Sequence, residues 1–228
     1  MKESPSRAGD TKVRIMDVAE KLFAENGFKR TSIQLLARTA EVNQAAVNYH
    51  FGSKSALVEQ VIERRLSVIN RLRMERLTGI KEKAARRGRK PDPAEVLRAF
   101  IEPVFALTEK SGGGKCILLI AGRAFAEPDE TIQGIFIRSF KPSYLLLLEL
   151  MTDAFPKLPE AVIHWRLHFV IGALAHAMRL CGSPLASQDV FPPVENAGMV
   201  VDLLVPFLSS GMNSPYDSAS GPGNAAIR

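Results

Sequence analysis

The sequence predicts an all-α protein of two helical domains, and three observations carry that prediction. Apolar residues recur at three- and four-residue spacing in one segment after another, whereas no stretch alternates with the period of a strand and no internal repeat stands out. Hydrophobic residues make up 46% of the 228 and charged residues 24%, which suits two packed cores and excludes a chain disordered throughout. Charge is also divided along the chain. Residues 1–90 hold 20 Lys and Arg against 10 Asp and Glu, and residues 91–228 hold 10 against 14. A basic N-terminal part beside a mildly acidic remainder suits a polyanion-binding domain joined to a larger one. A solvated basic face or an anionic membrane surface would show the same balance, so the choice falls to the motifs.

Taken in order, residues 1–9 read as a polar tail. A first helix over residues 10–26 presents Val13, Met16, Val18, Ala19, Leu22 and Phe23 at helical spacing and stops at Gly27. Thr31 followed by Gln34 fits a capping box. Ile33, Leu36, Ala37 and Ala40 then give a short second helix one apolar face. Glu41-Val42-Asn43 interrupts the pattern, with Val42 tucked between helices and Asn43 as the next cap. Gln44–Phe51 is a third short helix. Ala46, Val47 and Phe51 pack inward there, and Gln44, Ala45, Asn48, Tyr49 and His50 remain outside.

Two short helices joined by a tight polar turn make a helix-turn-helix, whose second helix enters the major groove of DNA. Gln and Asn can bond adenine bidentately, a small Ala allows contact with a thymine methyl, and Tyr and His reach phosphate oxygens. Gly52-Ser53 ends the helix and Ser53 caps the following one. Lys54 in its first turn opposes the helix dipole, which a phosphate would offset. The residues expected at DNA are therefore Thr31, Ser32, Gln44, Ala45, Asn48, Tyr49, His50 and Lys54. Thr31 and Ser53 serve equally as plain caps, and Tyr49 as a half-buried aromatic.

Residues Val13–Leu57 resemble the DNA-binding domain of the TetR family of bacterial transcriptional regulators. The resemblance rests on Ala19-Glu20-Lys21-Leu22-Phe23, Glu25-Asn26-Gly27-Phe28, Thr31-Ser32, Ile33, Leu36-Ala37, Val42, Val47-Asn48-Tyr49-His50-Phe51-Gly52-Ser53-Lys54 and Leu57. It implies that the helix matching Gln44–His50 reads the groove and that Thr31, Tyr49 and Lys54 hold the DNA backbone. Glu41 departs from the pattern, because the family usually has Gly in this turn. An acidic side chain then lies near DNA and the turn lacks its usual residue for φ > 0, so strain or a small shift is expected with the motif intact.

The helix-turn-helix domain spans residues 10–56 and a regulatory domain residues 57–212. A long helix from residue 53 to about residue 77 carries Leu57, Val61, Leu66, Ile69 and Leu72. Residues 78–92, crowded with Lys and Arg and closed by Pro91 and Pro93, read as a mobile basic linker loop that leaves DNA contact open. An amphipathic helix follows over 94–109, then Gly-rich residues 111–114 and an apolar helix over 116–126. Residues 130–155 are helical in pattern, with Pro142 expected to kink or divide them. Helices over 159–180 and 194–211 complete the domain, and residues 213–228 read as a disordered tail.

The last two helices are apolar on nearly all sides, which requires burial on two faces: one in the core and one against a second subunit. Trp165, Gly172, Ala175, Leu203 and Phe207 are the expected dimerisation residues. The resemblance implies the same, since TetR-family proteins generally dimerise through their last two helices, and a two-fold dimer matches a palindromic double-stranded operator. The stretch Trp165-Arg166-Leu167-His168-Phe169, with Gly172-Ala173, Ala177-Met178 and Leu204-Val205-Pro206-Phe207, also loosely resembles the members that respond to fatty acids or acyl-CoA. That implies an apolar effector pocket lined from Phe105, Leu118, Phe125, Phe136, Phe140 and Phe169, with Arg123, Arg138, His168 and Arg179 as candidate anchors for an anionic head. Ordinary core packing explains the same aromatics.

Cys116 and Cys181 lie in apolar helical patterns and read as core residues. His164 and His168 share a helix face, but no third ligand follows, so no metal or other cofactor is expected. No Gly-rich phosphate loop, nucleophile elbow or paired carboxylate recommends an enzyme. The charged N-terminus lacks the apolar core of a signal peptide, and no apolar run reaches a membrane-spanning length. The expectation is a cytoplasmic regulator, most simply a homodimeric repressor released by a small apolar effector. The alternative is a DNA-bound adaptor acting through a protein partner with no small-molecule effector.

Overall fold

Every regular element of the computed structural model is an α-helix among the residues it describes, which are 5–110, 116, 118–121, 130–182 and 196–216. Helices α1 (Pro5–Asn26), α2 (Ile33–Thr39) and α3 (Gln44–Phe51) pack with the start of α4 (Lys54–Arg87) into the N-terminal unit. Phe23, Leu36, Val47 and Leu57 are fully or almost fully buried where they meet. The rest of α4 packs against α5 (Pro93–Lys110) and α6 (Glu130–Ala154), with α7 (Glu160–Gly182) and α8 (Ala197–Met212) completing the second unit.

Helix ends follow their caps, with two differences from the expected pattern. Asn43, Ser53 and Asn196 accept from backbone N–H groups three residues ahead, as caps should. The cap of α2, however, is Ser32, whose Oγ accepts from Leu35 N at 3.1 Å. Thr31 instead is buried and donates its hydroxyl toward Leu22 O at 3.2 Å and Gly27 O at 2.9 Å. It ties the end of α1 to the start of α2, and the Thr31–Gln34 capping box does not form. Helix α1 begins at Pro5, inside the stretch read as a tail; a proline suits a first helical turn because the N–H it lacks would be unpaired there.

The largest difference concerns residues 78–92. Helix α4 continues through residue 87 and ends at Gly88, whose φ of +55° closes the helix in the left-handed region. The loop is thereby reduced to residues 88–92. Leu77 and Ile80 are buried and carry the apolar stripe of α4 onward, while Lys81 pairs with Glu149 at 2.5 Å and Lys83 with Glu95 at 2.7 Å. Two of the cations read as a linker, Lys81 and Lys83, therefore lie along α6 and α5, and Arg86, Arg87, Arg89 and Lys90 are exposed.

Two prolines sit inside helices without dividing them, Pro103 in α5 and Pro142 in α6. A helix proline lacks an N–H and disturbs the carbonyls one turn before it. Side chains of α4 reach both helices in the turn before the proline. Arg73 Nε donates to Phe100 O at 2.8 Å, and Asn70 Nδ2 to Ser139 O at 2.6 Å. Each accepting carbonyl lies three residues before its proline, so polar side chains of the long helix bond its two neighbours in the turn that each proline disturbs.

Candidate nucleic-acid interface and ligand cavity

Helix α3 buries Val47 and Phe51 and turns the opposite face outward, as its period predicts. Gln44, Ala45 and Asn48 are exposed, Tyr49 is 83% exposed, and His50 and Lys54 are partly so. The Tyr49 and His50 rings meet edge to face at 5.2 Å, which holds both at the C-terminal end of the helix. Ser32 is exposed at the start of α2. Thr31, fully buried with its hydroxyl turned onto two carbonyls, has no side-chain atom free to meet DNA.

Glu41 has φ +53° and is the one non-glycine residue with positive φ among those described. The turn nevertheless closes, with Glu41 N donating to Arg38 O at 3.2 Å and Val42 N to Ala37 O at 2.9 Å. The expected strain is present and the motif is intact.

An ion-pair cluster absent from the sequence reading fastens this unit to α4. Glu20 of α1 is buried and pairs with both Arg64 and Arg65, the latter at 3.0 Å, while Arg64 also reaches Asp17 at 2.8 Å. The paired carboxylates hold the Arg64 guanidinium charged against the desolvation of its partial burial. Glu20 occupies the buried stripe of α1 with Met16, Ala19 and Phe23, so a carboxylate on an apolar face is the signal that marks it.

The second unit holds a cavity of about 40 Å³ between α4, α5, α6 and α7, with Ala121 also on its wall. Leu66, Ile69, Val104, Phe136, Ile171 and Leu174 supply much of its apolar lining, and Asn70 and Arg73 its polar groups. Arg73 is 4% exposed, with its guanidinium 4.0 Å from the centroid of Phe100 and 5.6 Å from that of Phe140. Burial lowers its pKa from the usual arginine range to about 9, so it keeps its charge at neutral pH. Asn70 Oδ1 accepts a 3.4 Å bond from the buried Ser143 hydroxyl and a 3.5 Å contact from Arg73 Nη1. Nearby, the buried Tyr144 hydroxyl has no hydrogen-bond partner among the described residues, and desolvation raises its pKa.

Of the described residues expected around an effector, the structure brings only Phe136 and Phe140 to this wall. Phe105 and Leu118 are buried core residues that do not line it. Arg138 is exposed and paired with Glu59 at 2.9 Å, and Arg179 is exposed. Arg123 and Phe125 lie outside the described residues. His168 and Phe169 are on the outer face of α7, their rings 6.0 and 6.1 Å from that of Trp165. Arg73 was missed, though the stripe Leu66, Ile69, Arg73, Leu77, Ile80 shows an arginine at a core position.

That outer face completes the geometry. Helix α7 buries Ile163, Leu167, Val170, Leu174 and Met178, and leaves Trp165, Phe169 and Gly172 exposed on the opposite side. Helix α8 exposes Leu203 and Phe207 while burying Val201, Val205 and Leu208. Ala175, expected on this face, lines the cavity instead. Arg166 donates to Met212 O and Ser214 O, fastening α7 to the end of α8. No described helix is long and apolar enough to cross a membrane.

Comparison with known proteins agrees with this architecture. Residues 15–61 match the family described as bacterial regulatory proteins, tetR family, and residues 98–211 match the tetracyclin repressor-like C-terminal domain. The regulator AcrR of Shigella flexneri is 34% identical over 74 residues, 32% of this chain and 34% of its own length, so the likeness spans about a third of that relative. The structure of FadR from Bacillus subtilis in complex with stearoyl-CoA has a TM-score of 0.62 at 16% identity, covering 87% of this chain and 98% of FadR. AibR in complex with isovaleryl coenzyme A and operator DNA has a TM-score of 0.58 at 16% identity, covering 86% of this chain and 97% of AibR. With family matches in both units and a helix-turn-helix at the expected place, the chain belongs to the TetR family of DNA-binding transcriptional regulators.

Proposed function

We propose that the chain is a homodimeric repressor released from a palindromic operator by a small apolar effector, a fatty acid or its CoA ester being the first candidates. In this reading Gln44, Ala45 and Asn48 meet base edges, while Ser32, Tyr49, His50 and Lys54 hold phosphates. The two subunits join through the exposed apolar face of α7 and α8, around Trp165, Phe169, Leu203 and Phe207. The acyl-CoA complexes of FadR and AibR support the effector class.

The observation that carries the proposal is α4, one helix that starts at the recognition helix and whose Leu66, Ile69, Asn70 and Arg73 line the cavity. A cavity of about 40 Å³ is far smaller than the ~300 Å³ or more that houses a drug-sized ligand. An acyl chain therefore enters only by parting α4 from α6 and α7. Moving α4 changes the separation of the two recognition helices, and by linkage the operator weakens effector binding in equal measure.

Selection of DNA fragments by the purified protein at fixed salt, repeated with dodecanoate and with dodecanoyl-CoA, tests the whole reading. Enrichment of one palindrome that collapses with either compound is the expected result. Enrichment that ignores both points to a protein partner instead, and no enrichment overturns the operator reading.

A further inference from the structure

We propose that the cavity takes a free carboxylate attached to an apolar chain, with the carboxylate pairing to the Arg73 guanidinium. The inference rests on the effector reading above and names the chemistry of the ligand's head. Arg73 is almost fully buried, yet its partners are neutral: the Phe100 carbonyl, the Asn70 amide, and the Phe100 and Phe140 rings. Among the described residues no carboxylate lies within ion-pair distance of it. Buried charges in proteins are ordinarily paired, because removing an ion from water costs several kcal/mol. Bonding to the Phe100 carbonyl needs only one neutral donor, which glutamine would supply without the charge. The cation is therefore unexplained by the fold alone, and it faces a cavity.

The rest of the wall selects the remainder of the ligand. Leu66, Ile69, Val104, Phe136, Ile171 and Leu174 offer nothing to a polar chain. Among the described residues Arg73 is the one basic group on this wall, and a single cation matches a monoanion better than a phosphate dianion. A guanidinium pairs bidentately with a carboxylate, whereas a CoA thioester brings only a neutral carbonyl to the same place. Arg73 also lies 19 residues beyond Lys54 on one unbroken helix. A carboxylate that competes for the guanidinium draws it from the Phe100 carbonyl and loosens the tie of α4 to α5.

The test is calorimetric titration of the full chain with dodecanoate, methyl dodecanoate and dodecanoyl-CoA, below micellar concentrations, for wild type, Arg73→Gln and Arg73→Lys. Arg73→Gln keeps a donor for Phe100, and its unfolding curve shows whether it is folded. Dodecanoate is expected to bind wild type, at least tenfold weaker to Arg73→Gln, and in between to Arg73→Lys. The methyl ester and the thioester are expected to bind weakly and without regard to residue 73. Equal binding of dodecanoate to wild type and Arg73→Gln overturns the proposal. So does a wild type that binds the ester or thioester as tightly as the acid, or that binds none of the three. Operator retention is measured separately. If dodecanoate binds through Arg73 while DNA stays bound, the anchor stands and the release reading falls; release by a compound indifferent to residue 73 gives the reverse.

Discussion

Arg73 places a full charge in an apolar core, and its energetic consequences belong to that one residue. Replacing a buried, unpaired cation by a hydrophobic side chain of similar length is often stabilising, partly offset here by the bond lost at Phe100 O. Arg73→Met is therefore expected to unfold later in a denaturant series, by about 1–2 kcal/mol. The pH dependence follows from linkage. Burial sets the folded pKa at about 9, well below that of an arginine in the unfolded chain. Between these values the unfolded chain holds a proton the folded one has released, so stability rises with pH there. The stability gap between Arg73→Met and wild type should stay constant below pH 9 and narrow above it. Glu41 is a second residue under local cost, holding φ +53° in the turn of the DNA-binding motif. Glu41→Gly is expected to stabilise the fold by about 1 kcal/mol. It should also tighten DNA binding most at low salt, by removing a negative charge near the phosphates; filter binding across a salt series measures this. Glu41 was legible, because a missing glycine in a tight turn is a local fact. Arg73 was legible only as an anomaly, a cation in an apolar stripe whose burial depends on three other helices.

Among elements, the junction of α1 with α4 is the place where the two units are mechanically joined. Glu20 holds Arg64 and Arg65 from a buried position. Removing one partner of a buried ion pair strands the others, so Glu20→Ala is expected to lose roughly 3 kcal/mol in chemical denaturation. Should the folded variant still bind operator, its response to effector should weaken, because α4 would move without carrying α1. Helix boundaries were largely readable, since caps and glycines act within four residues. The errors have physical causes. Thr31 and Ser32 are adjacent hydroxyls, and burial of the first hands the cap to the second. Residues 78–87 look like a loop by charge, yet Leu77 and Ile80 are buried and Glu95 and Glu149 neutralise two of its lysines.

At the scale of the whole molecule, the exposed apolar face of α7 and α8 is the main unfinished surface. Trp165 is 58% exposed and Phe207 71%, on helices whose opposite faces are fully used by the core. A Trp165→Glu, Phe207→Glu double variant is expected to sediment as a monomer, with its fold intact because neither side chain is in the core. Operator affinity should then fall by about 10²-fold or more, since two half-sites would no longer be engaged as one linked event. A double variant that sediments as wild type does would place the subunit contact elsewhere.

Features that depend on near neighbours were readable along the chain: the helical class, the caps at Asn43 and Ser53, the outward face of α3, and apolar excess on the last two helices. Periodicity and capping act over a few residues, and a linear pattern records them. Which side chains meet was set by the packing of the helices. It buried Thr31, sent Phe169 and His168 outward, gave Arg138 to Glu59, and brought Arg73 and Asn70 of α4 to carbonyls in the turns before the prolines of α5 and α6. The bonds between helices among these join residues 27 to 79 positions apart, and the spacing of a chain carries no record of how its helices close on one another.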